Sequence, residues 1–224
     1  MTARIIFPLL LGLTGASVLI ALGIWQVNRL DWKEGVLAQI ETRINASPVA
    51  VPTDPDPQAD RYLPVTASGT LSEEIHVLVS TRTEGAGFRI ISRLDTADGR
   101  ALLVDRGFVK DELKDAPRPA GEVSITGNLH WPDEIDRFTP EPDPAANIWF
   151  ARDVPALAQA LGTEPILIIA RATSETDASV TPLPVDTSGI PNDHLEYAVT
   201  WFGLAAVWIA MTGFLLLRIR QGKR

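Results

Sequence analysis

Three side chains at the head of an apolar run have types and spacing that can do chemistry. His194, Tyr197 and Trp201 follow an i, i+3, i+7 rhythm, which puts them on one face of a helix starting near Asn192, with Leu204 and Trp208 further along that face. An imidazole can ligate a metal, move a proton or cap a helix, and aromatic rings beside it can flank a flat apolar molecule. After Glu196 no charge occurs until Arg218, leaving 21 uncharged positions, about the length an α-helix needs to cross a hydrocarbon core. His194 thus stands just outside a membrane span, at the depth where interfacial aromatics and polar residues gather.

A second set stands near the other end of the chain. Trp25, Arg29 and Trp32 recur at i, i+4, i+7 and form an aromatic and basic face. They read equally as an interfacial anchor, with tryptophans at headgroup level and Arg29 snorkelling, and as a contact surface for a ligand or partner. For His194 the two readings are a haem ligand, with Tyr197 and Trp201 against the macrocycle, and a helix cap or backbone hydrogen bond; spacing leaves both open. The remaining histidines, His76 and His130, sit in or at the end of expected strands and read as structural. Asp133, Glu134 and Asp136 read as a solvated loop, and Asp105-Arg106-Gly107 as paired charges with a turn glycine.

Much chemistry is excluded. There is no cysteine, hence no disulfide, thiol catalysis or Cys-based zinc or iron-sulfur site, and three histidines support no multi-histidine centre. Phosphate-binding, dinucleotide-binding and hydrolase signatures are absent, so the expectation is a protein that is not an enzyme.

The elements that must position these residues are two spans and one domain. Between Arg4 and Arg29 lie 24 uncharged residues with no small-residue cleavage site after them, which predicts an uncleaved anchor. Gly12, Ala16 and Gly23 share one face of it. Gly203, Ala206, Ala210 and Gly213 share the face of the second span opposite His194, and the two small-residue stripes are expected to pack together. The organisation expected is a first span over 5–28, a helix extension and Pro-rich linker over 29–59, a β-rich domain over 60–172, a linker over 173–191, a second span over 192–217 and a basic tail over 218–224. Within the domain, runs at 62–70, 73–80, 87–94, 101–109, 122–130 and 165–170 read as strands, with a hairpin turn at Asp98-Gly99. A short helix is expected over 153–161, capped by Asp153 and ended by Gly162. This predicts a membrane protein in which two transmembrane α-helices flank a β-rich (α+β) domain, a small antiparallel barrel or sandwich.

Charge placement orients it. Every Asp and Glu lies between Asp31 and Glu196, while Arg4, Arg218, Arg220, Lys223 and Arg224 sit at the ends. The basic cluster after Leu217 predicts cytoplasmic termini and a middle domain on the outer side of the lipid bilayer. The acidity of that domain excludes nucleic acid as a partner.

Four stretches carry a family resemblance. Gly23-Ile24-Trp25-Gln26-Val27-Asn28-Arg29-Leu30-Asp31-Trp32-Lys33 resembles the first-span motif of the Surfeit locus cytochrome c oxidase assembly proteins, also called Surf or Shy proteins. Asn192-Asp193-His194-Leu195-Glu196-Tyr197-Ala198-Val199-Thr200-Trp201-Phe202 resembles their second-span motif. Leu103-Val104-Asp105-Arg106-Gly107-Phe108 is similar to their V-N-R-G-W element, with Asp105 for the usual Asn and Phe108 for the usual Trp. Asn147-Ile148-Trp149 followed by Asp153 matches their N-x-W and D pattern. The resemblance implies a two-span protein of a bacterial inner membrane with a periplasmic domain, which binds haem a and helps place it in subunit I of a haem-copper oxidase. It implies His194 as the contact to the haem iron and cytochrome c oxidase subunit I and haem a synthase as partners; around that contact Tyr197 and Trp201 are expected to face the macrocycle, and Trp25 and Arg29 to complete the site at the same depth. The alternative it leaves is a scaffold that binds no haem and stabilises either partner during assembly.

Overall fold

The structure is a computed structural model describing residues 3–81, 85–118, 121–175 and 179–222. The chain divides into two units, one formed by Met1–Gln39 with Thr187–Arg224 and the other by Ile40–Asp186.

Two helices carry the first unit's apolar surface. Helix α1 runs Ala3–Ile44 and α3 runs His194–Gln221, 42 and 28 residues, or about 60 and 40 Å at 1.5 Å per residue. Their most apolar stretches have mean hydropathies of 2.4 and 1.9, yet only 11% and 6% of those stretches is buried. Phe7, Val199, Met211 and Phe214 all point outward, each more than 60% exposed. A core helix of similar composition would be covered on most sides; these flanks are stable only in lipid. The protein is therefore a membrane protein carrying a β-rich domain. Arg218 and Arg220 close α3, where cations also complement the helix dipole. Lys223 and Arg224 and the side chain of Arg4 lie outside the described residues, as do residues 176–178 of the expected second linker.

The second unit is a small barrel. Its strands are β1 (Val49–Ala50), β2 (Pro64–Thr81), β3 (Gly85–Thr96), β4 (Ala101–Lys110), β5 (Glu122–Leu129), β6 (Ile148–Trp149) and β7 (Leu167–Thr173), with α2 (Val154–Leu161) between β6 and β7. The order β2-β3-β4-β7-β5 closes because β5 also pairs with β2. The closure corrects one expectation: the runs at 62–70 and 73–80 form a single long strand. A register shift between Leu71 and Glu74 bends it, so that its first half pairs with β5 and its second with β3. A second correction concerns direction. β4 and β7 pair in parallel, Leu103 opposite Leu167, because α2 lies in the connection leading to β7. The Pro-rich stretch after α1 also contributes β1, paired in parallel with β2.

Strand alternation divides the apolar residues between two faces. Leu102, Val104 and Ile168 join Val65, Leu94 and Ile125 in one cluster. Leu103, Leu167 and Ile169 face the other way, onto Val154, Leu157 and Leu161 of α2 and onto Trp149. Helix α2 starts and ends as the sequence predicts: Asp153 accepts from the Ala156 amide and Gly162 takes the left-handed C-cap.

Candidate functional site

The helical unit holds the residues the sequence singled out, and its packing begins with glycines. Gly12, Ala16, Gly23 and Gln26 are buried along one face of α1. A Cβ at Gly12 would overlap the Thr212 side chain, at Gly15 the Trp208 indole, and at Gly23 the Phe202 ring. Falling numbers on α1 meet rising numbers on α3, so the helices are antiparallel, with large side chains of α3 seated in hollows of α1.

This overturns half of the small-residue pairing. The α1 stripe packs as expected, but Gly203 and Gly213 have nothing within 4 Å of an added Cβ, and Ala206 and Ala210 are exposed. Helix α3 instead turns Ala198 and Ala205 inward, 2% and 3% exposed. Polar groups decide the rotation: the Trp208 indole N–H donates to the Gly12 carbonyl oxygen at 3.0 Å, and His194 meets Gln26. An unpaired N–H in lipid is costly, whereas a small apolar face exposed to lipid is not.

The expected aromatic stripe is consequently split. Tyr197 and Leu204 point outward, 55% and 48% exposed. Trp201 and His194 are half-buried. His194 opens α3, and its Nδ1 lies 2.8 Å from Gln26 Oε1. This bond is neither of the bland alternatives, a cap or a backbone contact. Two residues earlier, Asn192 Oδ1 is buried with no hydrogen-bond partner among the described residues. On α1, Arg29 lies over the Trp32 ring, 3.8 Å from its centroid, and Trp25 is 56% exposed. The structure therefore joins His194 to Gln26, not to Trp25 or Arg29. Gln26 was missed in the sequence, although it continues the buried series Gly12, Ala16, Gly23 at the next i+3 position.

The barrel unit concentrates buried charge around the Asp105-Arg106-Gly107 element. A register shift opposite Ile90 and Ile91 makes it a bulge, and Gly107 adopts φ +125° with its Cα against the Thr181 carbonyl, a conformation and a closeness that exclude a side chain. Asp105 is fully buried; its Oδ2 accepts from Arg89 at 2.7 Å and Arg152 at 3.2 Å, and its Oδ1 from the Gly107 amide at 3.1 Å. Arg152 also pairs with Glu134, which lies in an exposed loop with Asp133 and Asp136, as expected. Arg106 pairs with Glu175 and Glu74, and Glu74 also with Arg118 and His76. Burial alone would raise the Glu74 carboxyl, but hydrogen bonds from His76 and Arg118 and the charges of Arg118 and Arg106 hold it at about 2. His130 stacks on Tyr62 with centroids 5.3 Å apart, and burial, then the charges of Arg61 and Arg152, push its pKa down to about 4. Saturated ion pairs of this kind hold a fold together, and no group of three or more potential metal ligands occurs among the described residues.

The profile of the SURF1 family matches residues 13–206. Surfeit locus protein 1 of Xenopus tropicalis is 33% identical over 211 residues, covering 83% of this chain and 68% of that protein, and that of Homo sapiens is 32% identical over 210 residues, covering 83% and 69%. A SURF1-like protein of Monosiga brevicollis is 31% identical over 227 residues, covering 92% and 86%. The match runs from within α1 through the barrel into α3, so the chain belongs to the SURF1 family.

Proposed function

We propose that this chain handles haem a during assembly of a haem-copper oxidase, binding it as cargo through His194 and releasing it to subunit I. The observation that carries the reading is the His194 imidazole at the start of α3, half-buried, with Nδ1 engaged by Gln26 and Nε2 left to meet an iron. The residues fit a flat amphipathic cargo. Tyr197 and Trp201 follow on the next turns of α3, and Asn192 holds a buried acceptor without a donor among the described residues. One protein ligand suits a carrier, since a single axial bond is replaceable by the recipient. Trp25 and Arg29 belong to the same functional reading as a contact surface near the membrane boundary, where Arg29 can meet a propionate. The basic residues at the chain ends support a periplasmic domain with both termini in the cytoplasm.

The test is spectroscopic. Protein purified in detergent from cells that make haem a is expected to carry it stoichiometrically, and His194→Ala to lose or alter the spectrum. Absence of haem from the wild type, or an unchanged spectrum in the variant, removes the ligation.

A second reading has its own observation. Trp25 and Trp32 are 56% and 52% exposed, and the Gly203–Gly213 side of α3 is open, surfaces suited to a helix of subunit I or of haem a synthase. Under this scaffold reading a deletion strain accumulates oxidase lacking haem a while the purified protein binds none.

A further inference from the structure

Gln26 sits near the end of the uncharged run of α1 and is only 8% exposed. Leucine would pack there and carry no buried amide, which is costly unless it is paired. The amide is paired, with Oε1 2.8 Å from His194 Nδ1. An amide oxygen only accepts, so Nδ1 must carry the proton, and a neutral imidazole then has its lone pair on Nε2. The opposite tautomer would set two acceptors against each other at that distance. The bond also links the two helices, since Gln26 belongs to α1 and His194 to α3, so the imidazole plane is set by both.

We propose that Gln26 is a positioning residue for haem: it holds the Nδ1–H tautomer of His194, presents Nε2 as the axial nitrogen, and tunes the iron through the ring. This rests on the reading of His194 as the haem ligand. A partner on the far nitrogen of a metal-bound imidazole fixes ring orientation and raises ligand basicity, and losing it weakens binding by about 10- to 100-fold. A bond serving only to glue the helices would not move the iron's properties.

The experiment uses the full chain in detergent, stripped of haem and titrated with ferric haem a, with affinity and reduction midpoint read for the wild type, His194→Ala, Gln26→Leu and Gln26→Glu. Gln26→Leu is expected to weaken binding about tenfold and to shift the midpoint upward, because the ring donates less electron density to ferric iron. Gln26→Glu supplies a stronger acceptor; binding is retained and the midpoint moves down. The opposite signs of the two shifts exclude a packing effect, which would impair both variants alike. If Gln26→Leu matches the wild type while His194→Ala loses the haem signature, the positioning role is overturned and the ligation stands. If His194→Ala itself matches the wild type, the ligation reading falls and the positioning role with it.

Discussion

A single residue, Asp105, gathers two guanidinium groups and a backbone amide on one fully buried carboxylate. Arg89 and Arg152 keep only 15% and 12% of their side-chain surface exposed, so removing the carboxylate takes the acid partner from Arg89 and leaves Arg152 with Glu134. Asp105→Ala is expected to destabilise the fold by about 3–5 kcal/mol, read as a shift of the denaturation midpoint in detergent, whereas Asp105→Asn keeps the acceptor for Gly107 and loses less. An equal midpoint for the wild type and Asp105→Ala would contradict this account. The sequence showed Asp105-Arg106-Gly107 as a charged turn but not its partners. Arg89 lies 16 residues before Asp105 and Arg152 lies 47 after it, and which cation reaches a buried acid is settled by strand register and the placement of α2, not by local spacing. His194 was legible for the opposite reason: its position at the end of an uncharged run is a one-dimensional property. Gln26 was not, because one amide in an apolar run gains meaning only from what faces it.

Among the elements, the helix pair shows where pattern reading runs out. Periodicity finds faces, and both small-residue faces were legible in the sequence. It does not say which face turns inward when each helix has more than one candidate. On α3 the choice follows from Trp208 and His194, whose polar atoms need partners on α1, and from ring-into-glycine packing at Gly15 and Gly23. The prediction follows directly. Gly15→Leu pushes against the Trp208 ring and breaks its bond to Gly12, and should cost about 1–3 kcal/mol in helix-pair stability, measured by tryptophan fluorescence during titration from mild detergent into SDS. Gly213→Leu, at an open position, should change stability by no more than about 0.5 kcal/mol. Equal effects at the two sites would mean that the pair packs through the other face. The bend in β2 is similar in kind: a two-residue irregularity at Leu71 and Glu74 reads as punctuation in sequence, yet it is the corner that lets one strand close the barrel.

For the molecule as a whole, the acidic balance between Asp31 and Glu196 suggests a protein untroubled by mild acid, but two half-buried groups argue otherwise. Burial and neighbouring guanidinium groups hold His130 at about 4, against an ordinary value of 6.5. The unfolded chain therefore takes up this proton first, and stability falls as pH drops from about 6.5 to 4. Glu74 is held at about 2, against 4.5. Its stabilising pairs are intact above pH 4.5 and are lost as pH falls toward 2. Each shift corresponds to roughly 3 kcal/mol at most, so unfolding midpoints of the full chain in detergent should decline through two adjoining acid windows. His130→Phe keeps an aromatic ring against Tyr62 and removes the proton site, so it should flatten the profile between pH 6.5 and 4.5, where Glu74 does not yet titrate. Glu74→Gln should start less stable, because Arg106 and Arg118 lose a charged partner, and should flatten the limb below 4.5. A His130→Phe profile that still falls between pH 6.5 and 4.5 as the wild type does would show that this histidine is not the group that makes the fold acid-sensitive there.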